Sequence, residues 1–66
     1  MDFREKAQIK MEHWIEHNDK HIQEYEEFAR ELDNQGHSQA AAHVRELAEL
    51  TGKSSQSLRQ AIAALG

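Results

Sequence analysis

Three histidines stand four residues apart in the first half of the chain, at His13, His17 and His21. Residues four apart share one face of an α-helix, so each neighbouring pair has the spacing of a two-imidazole site for nickel or zinc. One ion cannot bind all three, because the outer pair is ~12 Å apart along a helix. Glu16 and Glu24 are the nearest carboxylates that could add ligands. The pattern therefore admits a nickel or zinc site whose remaining donors come from elsewhere.

A structural role explains the same histidines without a metal. On the predicted helix His13 lies on the polar side, His17 at the border, and His21 at the edge of the apolar stripe. An imidazole at such an edge often hydrogen-bonds to protein or water without acting as a ligand. We favour this interpretation and keep metal binding as the alternative.

The sequence contains no recognised catalytic constellation. Cysteine is absent, no histidine has a carboxylate three residues before it, and the segment from His13 to His17 has its glutamate at the wrong position for a zinc protease. Gly52-Lys53-Ser54 resembles the end of a phosphate-binding loop, but Leu47 stands where the first glycine would be. We therefore expect a protein that is not an enzyme.

Charge and hydropathy exclude two further classes of partner. The formal net charge is −4, and the eight basic residues are scattered, whereas nucleic-acid binding requires clustered Lys and Arg. No apolar run approaches the ~18 residues of a membrane span. We expect a cytoplasmic protein that binds neither nucleic acid nor membrane, and whose 66 residues form a single helical domain.

Larger side chains recur three and four residues apart in the first half, as on one face of a helix. Asp2 suits the N-cap of this helix, which we predict over residues 2–34. Asn18 and His21 fill gaps in the stripe. Its other members are Met11, Trp14, Ile15, Ile22, Tyr25, Ala29 and Leu32.

The second half repeats this spacing after a short turn. Gly36 suits the left-handed residue past a helix end and Ser38 suits an N-cap, so we predict a second helix over residues 38–65 and an antiparallel hairpin. The stripe keeps its phase across Gly52, although a break there, giving a three-helix bundle, is the alternative. Its members are Ala40, Val44, Leu47, Thr51, Ser54, Leu58, Ile62 and Leu65.

Two helices alone leave such a stripe half covered. A chain this short buries only ~60% of the surface that its unfolded form exposes, so we expect further burial against a partner. The simplest arrangement is a homodimer that forms a four-helix bundle, and docking onto another protein is the alternative. The predicted interface residues are Trp14, Ile22, Leu47, Leu58 and Ile62.

A set of motifs spans most of the chain from Met11 to Leu65. They are Glu12-His13-Trp14-Ile15-Glu16-His17-Asn18, His21, the aromatic residues Tyr25 and Phe28, Gly36, and Leu47-Ala48-Glu49-Leu50. In these the chain resembles a small helical domain of unknown function that is appended to nickel-binding proteins of the carbon monoxide dehydrogenase maturation type. The resemblance implies a helical hairpin and a metal-related context, with His13, His17 and His21 as the matching histidines. This chain has neither the histidine-rich tract of those proteins nor any cysteine.

Overall fold

The computed structural model describes all residues from 1 to 66, as two helices joined by a three-residue turn. Helix α1 is Phe3–Asn34 and helix α2 is Ser38–Ala64. They pack antiparallel along their length and form a rod whose Cα extents are 51 × 17 × 9 Å. The predicted all-α hairpin is confirmed, with both helix boundaries within one residue of those predicted. Neither helix has an apolar stretch long enough to cross a membrane.

Local hydrogen bonds set the start of α1. Asp2 has extended backbone angles, and its side-chain Oδ1 accepts a hydrogen bond from the backbone N–H of Glu5 at 2.8 Å. This bond satisfies one of the N–H groups that the first turn of a helix leaves without a partner. The predicted N-cap is confirmed.

A left-handed glycine ends α1 and reverses the chain. Gly36 has a φ of +85°, which a residue without a Cβ adopts at little cost. The N–H of His37 donates to the carbonyl of Leu32 at 2.8 Å, and that of Gly36 to Asp33 at 3.0 Å. This pair of bonds is a Schellman motif, which stops the helix and turns the chain through a short connection.

The N-cap of α2 differs from the prediction. Ser38 is already helical, and the capping position is taken by His37, whose side chain makes no capping hydrogen bond. The carbonyl of His37 accepts the first intrahelical bond, from Ala41 at 3.0 Å. Because the turn is so short, His37 serves both the end of α1 and the start of α2. Ser38 as N-cap was therefore wrong by one residue.

Helix α2 continues through Gly52 without a break, so the three-helix alternative is wrong. Gly36 and Gly66 are the only glycines with positive φ, and Gly52 has ordinary helical angles. It lies on the side of α2 that faces α1, where a Cβ would be 4.0 Å from Cδ1 of Ile22. A single glycine costs a helix interior about 1 kcal/mol, which the packing of a 27-residue helix offsets.

We expect Gly52→Ala to raise the free energy of unfolding by about 0.5–1 kcal/mol. The added methyl group gains helix propensity and meets Ile22 at ordinary van der Waals distance, so nothing must move. Urea unfolding followed by circular dichroism measures the change. Gly36→Ala is the matched control and should destabilise, because its φ of +85° strains any residue with a Cβ. Destabilisation by Gly52→Ala would show that the helices pack more closely there.

The seam between the helices has a seven-residue repeat in both helices. Buried or half-buried residues follow each other at alternating spacings of three and four, which is the pattern of helices that cross at a shallow left-handed angle. In α1 the seam residues are Met11, Ile15, Asn18, Ile22, Tyr25, Ala29 and Leu32. In α2 they are Ala41, Val44, Ala48, Thr51, Ser55, Leu58, Ile62 and Leu65.

Small residues occupy the most buried positions of this seam. Ala29 and Ala41 are fully buried, Ala48 is 8% exposed and Ser55 is 2% exposed, and these four are the only buried residues of the chain. Their short side chains let the two backbones approach closely. One hydrogen-bonded contact interrupts the apolar seam where Asn18 Nδ2 donates to Ser55 Oγ at 3.0 Å.

The stripe predicted for α2 was therefore displaced at three positions. Ala40, Leu47 and Ser54 were expected to face α1, but in each case the next residue does so: Ala41, Ala48 and Ser55. A leucine at these buried positions would push the helices apart, whereas alanine and serine fit. Leu47 is consequently 43% exposed.

Candidate interaction face

Seven large apolar side chains are exposed on the folded hairpin. Met1, Phe3 and Ile9 lie near the start of the chain, and the other four are about half exposed: Trp14 at 50%, Phe28 at 52%, Leu47 at 43% and Leu50 at 55%. Helical geometry explains why they share one side of the rod. Trp14, Phe28 and Leu47 each immediately precede a seam residue, and such residues lie at the same edge of both helices in an antiparallel pair. Leu50 lies beside Leu47, one turn further along α2. We call the surface marked by these four residues the apolar face.

The charged groups that flank the seam lie at the opposite edge of the hairpin. Their position supports the assignment of the four apolar residues to one side. Asp33 and Arg45 each immediately follow a seam residue, and they form an ion pair across the two helices. Gly52 and Glu26 line a depression at the same edge. Along α1 this edge is a line of carboxylates at seven-residue intervals: Glu5, Glu12, Asp19, Glu26 and Asp33. The two long edges of the hairpin therefore differ sharply in polarity.

Helix α2 presents no charged side chain to the apolar face. Its two outward rows on that side contain no Asp, Glu, Lys or Arg over 25 residues. They are Ala40, His43, Leu47, Leu50, Ser54, Ser57, Ala61 and Ala64. The charged residues of α2 all lie elsewhere on its surface, at Arg45, Glu46, Glu49, Lys53 and Arg59. A helix face that is permanently in water usually carries charges, so this strip is typical of a surface that contacts protein.

The middle of the apolar face contains hydroxyl groups, which are polar but carry no charge. Ser54 Oγ accepts from Asn18 at 3.1 Å and donates to the carbonyl of Thr51 at 2.8 Å. His21 stacks on Tyr25 with ring centroids 5.9 Å apart, and its Nδ1 lies 3.5 Å from a carboxylate oxygen of Glu24. The aromatic and aliphatic groups thus flank a central layer around His21.

The residues predicted to bind a metal are not brought together in the chain. His13, Glu16 and His17 are exposed on α1, and only His21 and Glu24 approach each other closely. No group of three or more His, Cys, Asp or Glu side chains is placed to hold an ion. Across the seam from His21, α2 supplies Gly52 and serine hydroxyls rather than carboxylates.

The surface of the hairpin is larger than that of a compact protein of its size. The chain exposes 5094 Å², whereas a globular monomer of 7.6 kDa exposes about 4,300 Å². The radius of gyration is 15.4 Å, against about 11 Å for a compact domain of this length. Two helices of this length cannot enclose a core by themselves.

The fold and its surface define an antiparallel helical hairpin with one charged edge and one apolar face. The chain belongs to a family of domains of unknown function (DUF8180), whose model matches residues 7–65. This match confirms the resemblance to an uncharacterised small domain, and it shows no link to nickel-binding proteins. No curated protein and no solved structure matches the chain.

The predicted dimer interface was Trp14, Ile22, Leu47, Leu58 and Ile62. Of these, Ile22, Leu58 and Ile62 lie in the seam between α1 and α2. Phe28 and Leu50 were omitted from the prediction. The signal for both was available in the seven-residue repeat. Phe28 is two repeats after Trp14 and must share its side of α1, and Leu50 lies in the uncharged strip of α2. The absence of charges along two rows of α2 indicates the apolar face, whereas the spacing of apolar residues alone indicates the seam between the helices.

Proposed function

We propose that this protein is a non-enzymatic helical interaction module that forms a homodimer through its apolar face. The observation that carries the proposal is the position of Trp14, Phe28, Leu47 and Leu50, which are half exposed on the one side where α2 has no charge. Two hairpins that pack on this side complete a four-helix bundle, with the charged edges left in water.

The size of the face suits a second copy. A rectangle of 51 by 17 Å has an area of roughly 870 Å², close to the ~800 Å² that each partner buries in a standard interface. The area by which the exposed surface of the chain exceeds that of a compact monomer is similar to the area that each partner buries in such an interface. A surface this long and straight fits another long rod, and the chain itself is such a rod. Twofold pairing also buries the same patch on both partners at once.

Sedimentation equilibrium from about 1 to 100 µM tests the proposal. We expect a molar mass twice the 7.6 kDa of one chain at the upper concentrations. Leu47→Asp should shift the equilibrium to monomer, because it places a carboxylate in the uncharged strip. Gln39→Asp, on the solvent side of α2, is the matched control and should remain a dimer. A wild-type chain that stays monomeric at 100 µM would rule out the homodimer, and would leave a different protein as the occupant of the face.

A nickel or zinc role for His13, His17 and His21 has less support. Within one chain, no three His, Cys, Asp or Glu side chains are placed to hold an ion. A nickel or zinc site would therefore need donors from a second chain, so the dimer would have to form before the metal binds. We give the interaction module priority for this reason.

A further inference from the structure

We infer that the two copies pack antiparallel across the apolar face, with a twofold axis at His21, so that Trp14 of each chain contacts the partner's Phe28. This inference rests on the proposed homodimer and specifies its geometry. Three independent features of the face lead to the same axis: the aromatic row of α1, the charges beside that row, and the uncharged strip of α2.

The aromatic row of α1 is symmetric about His21. Trp14 and Phe28 stand seven residues before and after it, on the same side of the helix. An antiparallel partner whose α1 lies against this α1, with the axis at His21, therefore sets each tryptophan opposite a phenylalanine. Aromatic pairs of this kind favour offset or edge-to-face packing and add stability beyond the area that they bury. The two His21 rings meet at the axis.

The charges beside this row become complementary in the same arrangement. The neighbouring row of α1 is Lys10, His17, Glu24 and Glu31, with its basic groups at one end and its acids at the other. Reversal about His21 brings Lys10 within one residue, about 1.5 Å, of the level of the partner's Glu31, and His17 equally close to the level of the partner's Glu24. Each pair occurs twice in a twofold dimer, at the rim of the interface where charges set orientation and register.

The uncharged strip of α2 is centred at the same level. Its eight residues are symmetric about Gly52, which lies level with the axis because Gly52 is adjacent to Ile22. Reversal about this point places Leu47 against the partner's Ser57, and Leu50 against the partner's Ser54. Large side chains thus meet small ones along α2, as close packing requires. One axis satisfies both helices.

The competing twofold axis runs parallel to the helices and sets α1 against the partner's α2. In that arrangement Glu24 lies level with the partner's Leu50, counting along the helices from the contact between Ile22 and Gly52. The carboxylates of α1 would then lose water against an uncharged strip without gaining an opposite charge. The antiparallel pairing of α1 with α1 has no such cost.

Single cysteines test the geometry, because the chain contains none. With a short bismaleimide, we expect His21→Cys to cross-link with itself, since its two copies meet at the axis. Lys10→Cys should not, because its copies are about 33 Å apart at 1.5 Å per residue. A mixture of Lys10→Cys with Glu31→Cys should give only the mixed cross-link. Leu50→Cys mixed with Glu24→Cys reports the competing axis.

The results separate failure of the geometry from failure of the homodimer. A wild-type dimer in which His21→Cys stays uncross-linked, while Glu24→Cys and Leu50→Cys link, overturns the axis and leaves the proposed function standing. A monomeric wild type overturns both. Charge reversal is a second readout: Lys10→Glu or Glu31→Lys alone should weaken the dimer by roughly tenfold, and the double variant should restore it, because both rim pairs re-form with reversed sign. Equal, additive weakening in the double variant would contradict the pairing.

Discussion

Trp14→Ala is expected to raise the dissociation constant of the homodimer by about 100-fold, or roughly 2.7 kcal/mol. The indole is 50% exposed in the single hairpin, so its remaining apolar surface is available to a partner. Tryptophans near the centre of a dry interface are the residues whose truncation most often costs 2–4 kcal/mol. Each dimer contains two such sites, which act on one equilibrium.

Ile9→Ala is the matched control for this prediction. Ile9 is 40% exposed on the same helix but lies outside the apolar face, so its truncation should change the dissociation constant less than threefold. Sedimentation equilibrium of both variants, with helicity checked by circular dichroism, measures the difference. Equal weakening by the two substitutions would show that exposed apolar area in general, rather than this face, drives association.

The thermal behaviour of the wild type follows from the same equilibrium. If the dimer binds through surface that the hairpin cannot cover, the unfolding temperature rises with protein concentration. Trp14→Ala should flatten that dependence at the lower concentrations, since its dimer forms only at concentrations about 100-fold higher. The single hairpin has only four buried residues, so it retains little stability without its partner.

The elements of the fold were predictable because their signals are local. Asp2 needs only the N–H of Glu5 to cap α1, and Gly36 needs only its own left-handed backbone to end it. The absence of proline and the unbroken repeat across Gly52 likewise predict the length of α2 from neighbouring residues. Short-range chemistry of this kind can be read without knowledge of the packing.

The rotation of α2 about its own axis could not be read in the same way. Following the larger residues placed Leu47 against α1, but the separation of the helices decides which residue fits there. Ala48 and Ser55 allow close approach, and the bulky residues beside them then turn outward. This choice depends on both helices at once. Where a stripe contains alanines, either the larger residues or the small residues next to them can therefore face the partner helix.

The histidine spacing sets neighbouring imidazoles one helical turn apart on α1, but it could not predict which further ligands the fold brings to them. Whether His17 and His21 gain further ligands depends on which residues α2 brings across the seam. Those residues include Ser54 and Ser55, whose hydroxyls are hydrogen-bonded to Asn18. No further imidazole or carboxylate approaches from α2, so the helix spacing alone could not decide the metal question.

Small seam residues and large outward residues are two parts of one arrangement. Alanine and serine at the closest contacts bring the helices together, and this proximity excludes Trp14, Phe28 and Leu47 from the seam. The apolar groups that a lone hairpin would need for a core are thereby displayed at one side. The large apolar side chains of the hairpin therefore contribute little to its own core and remain available to the partner that we propose.

Ala41→Leu should lower the free energy of unfolding by about 2–3 kcal/mol, because Ala41 is fully buried in the seam between the helices. At ~0.05–0.15 kcal/mol per residue, such a loss is a large share of the stability of this chain. Ala42→Leu, the same substitution at the adjacent exposed position, should change it by less than ~0.5 kcal/mol. Urea unfolding of both variants at one protein concentration gives the comparison. Equal stability of the two would mean that the helices separate without cost, and close packing of small residues could then no longer explain why the large ones face outward.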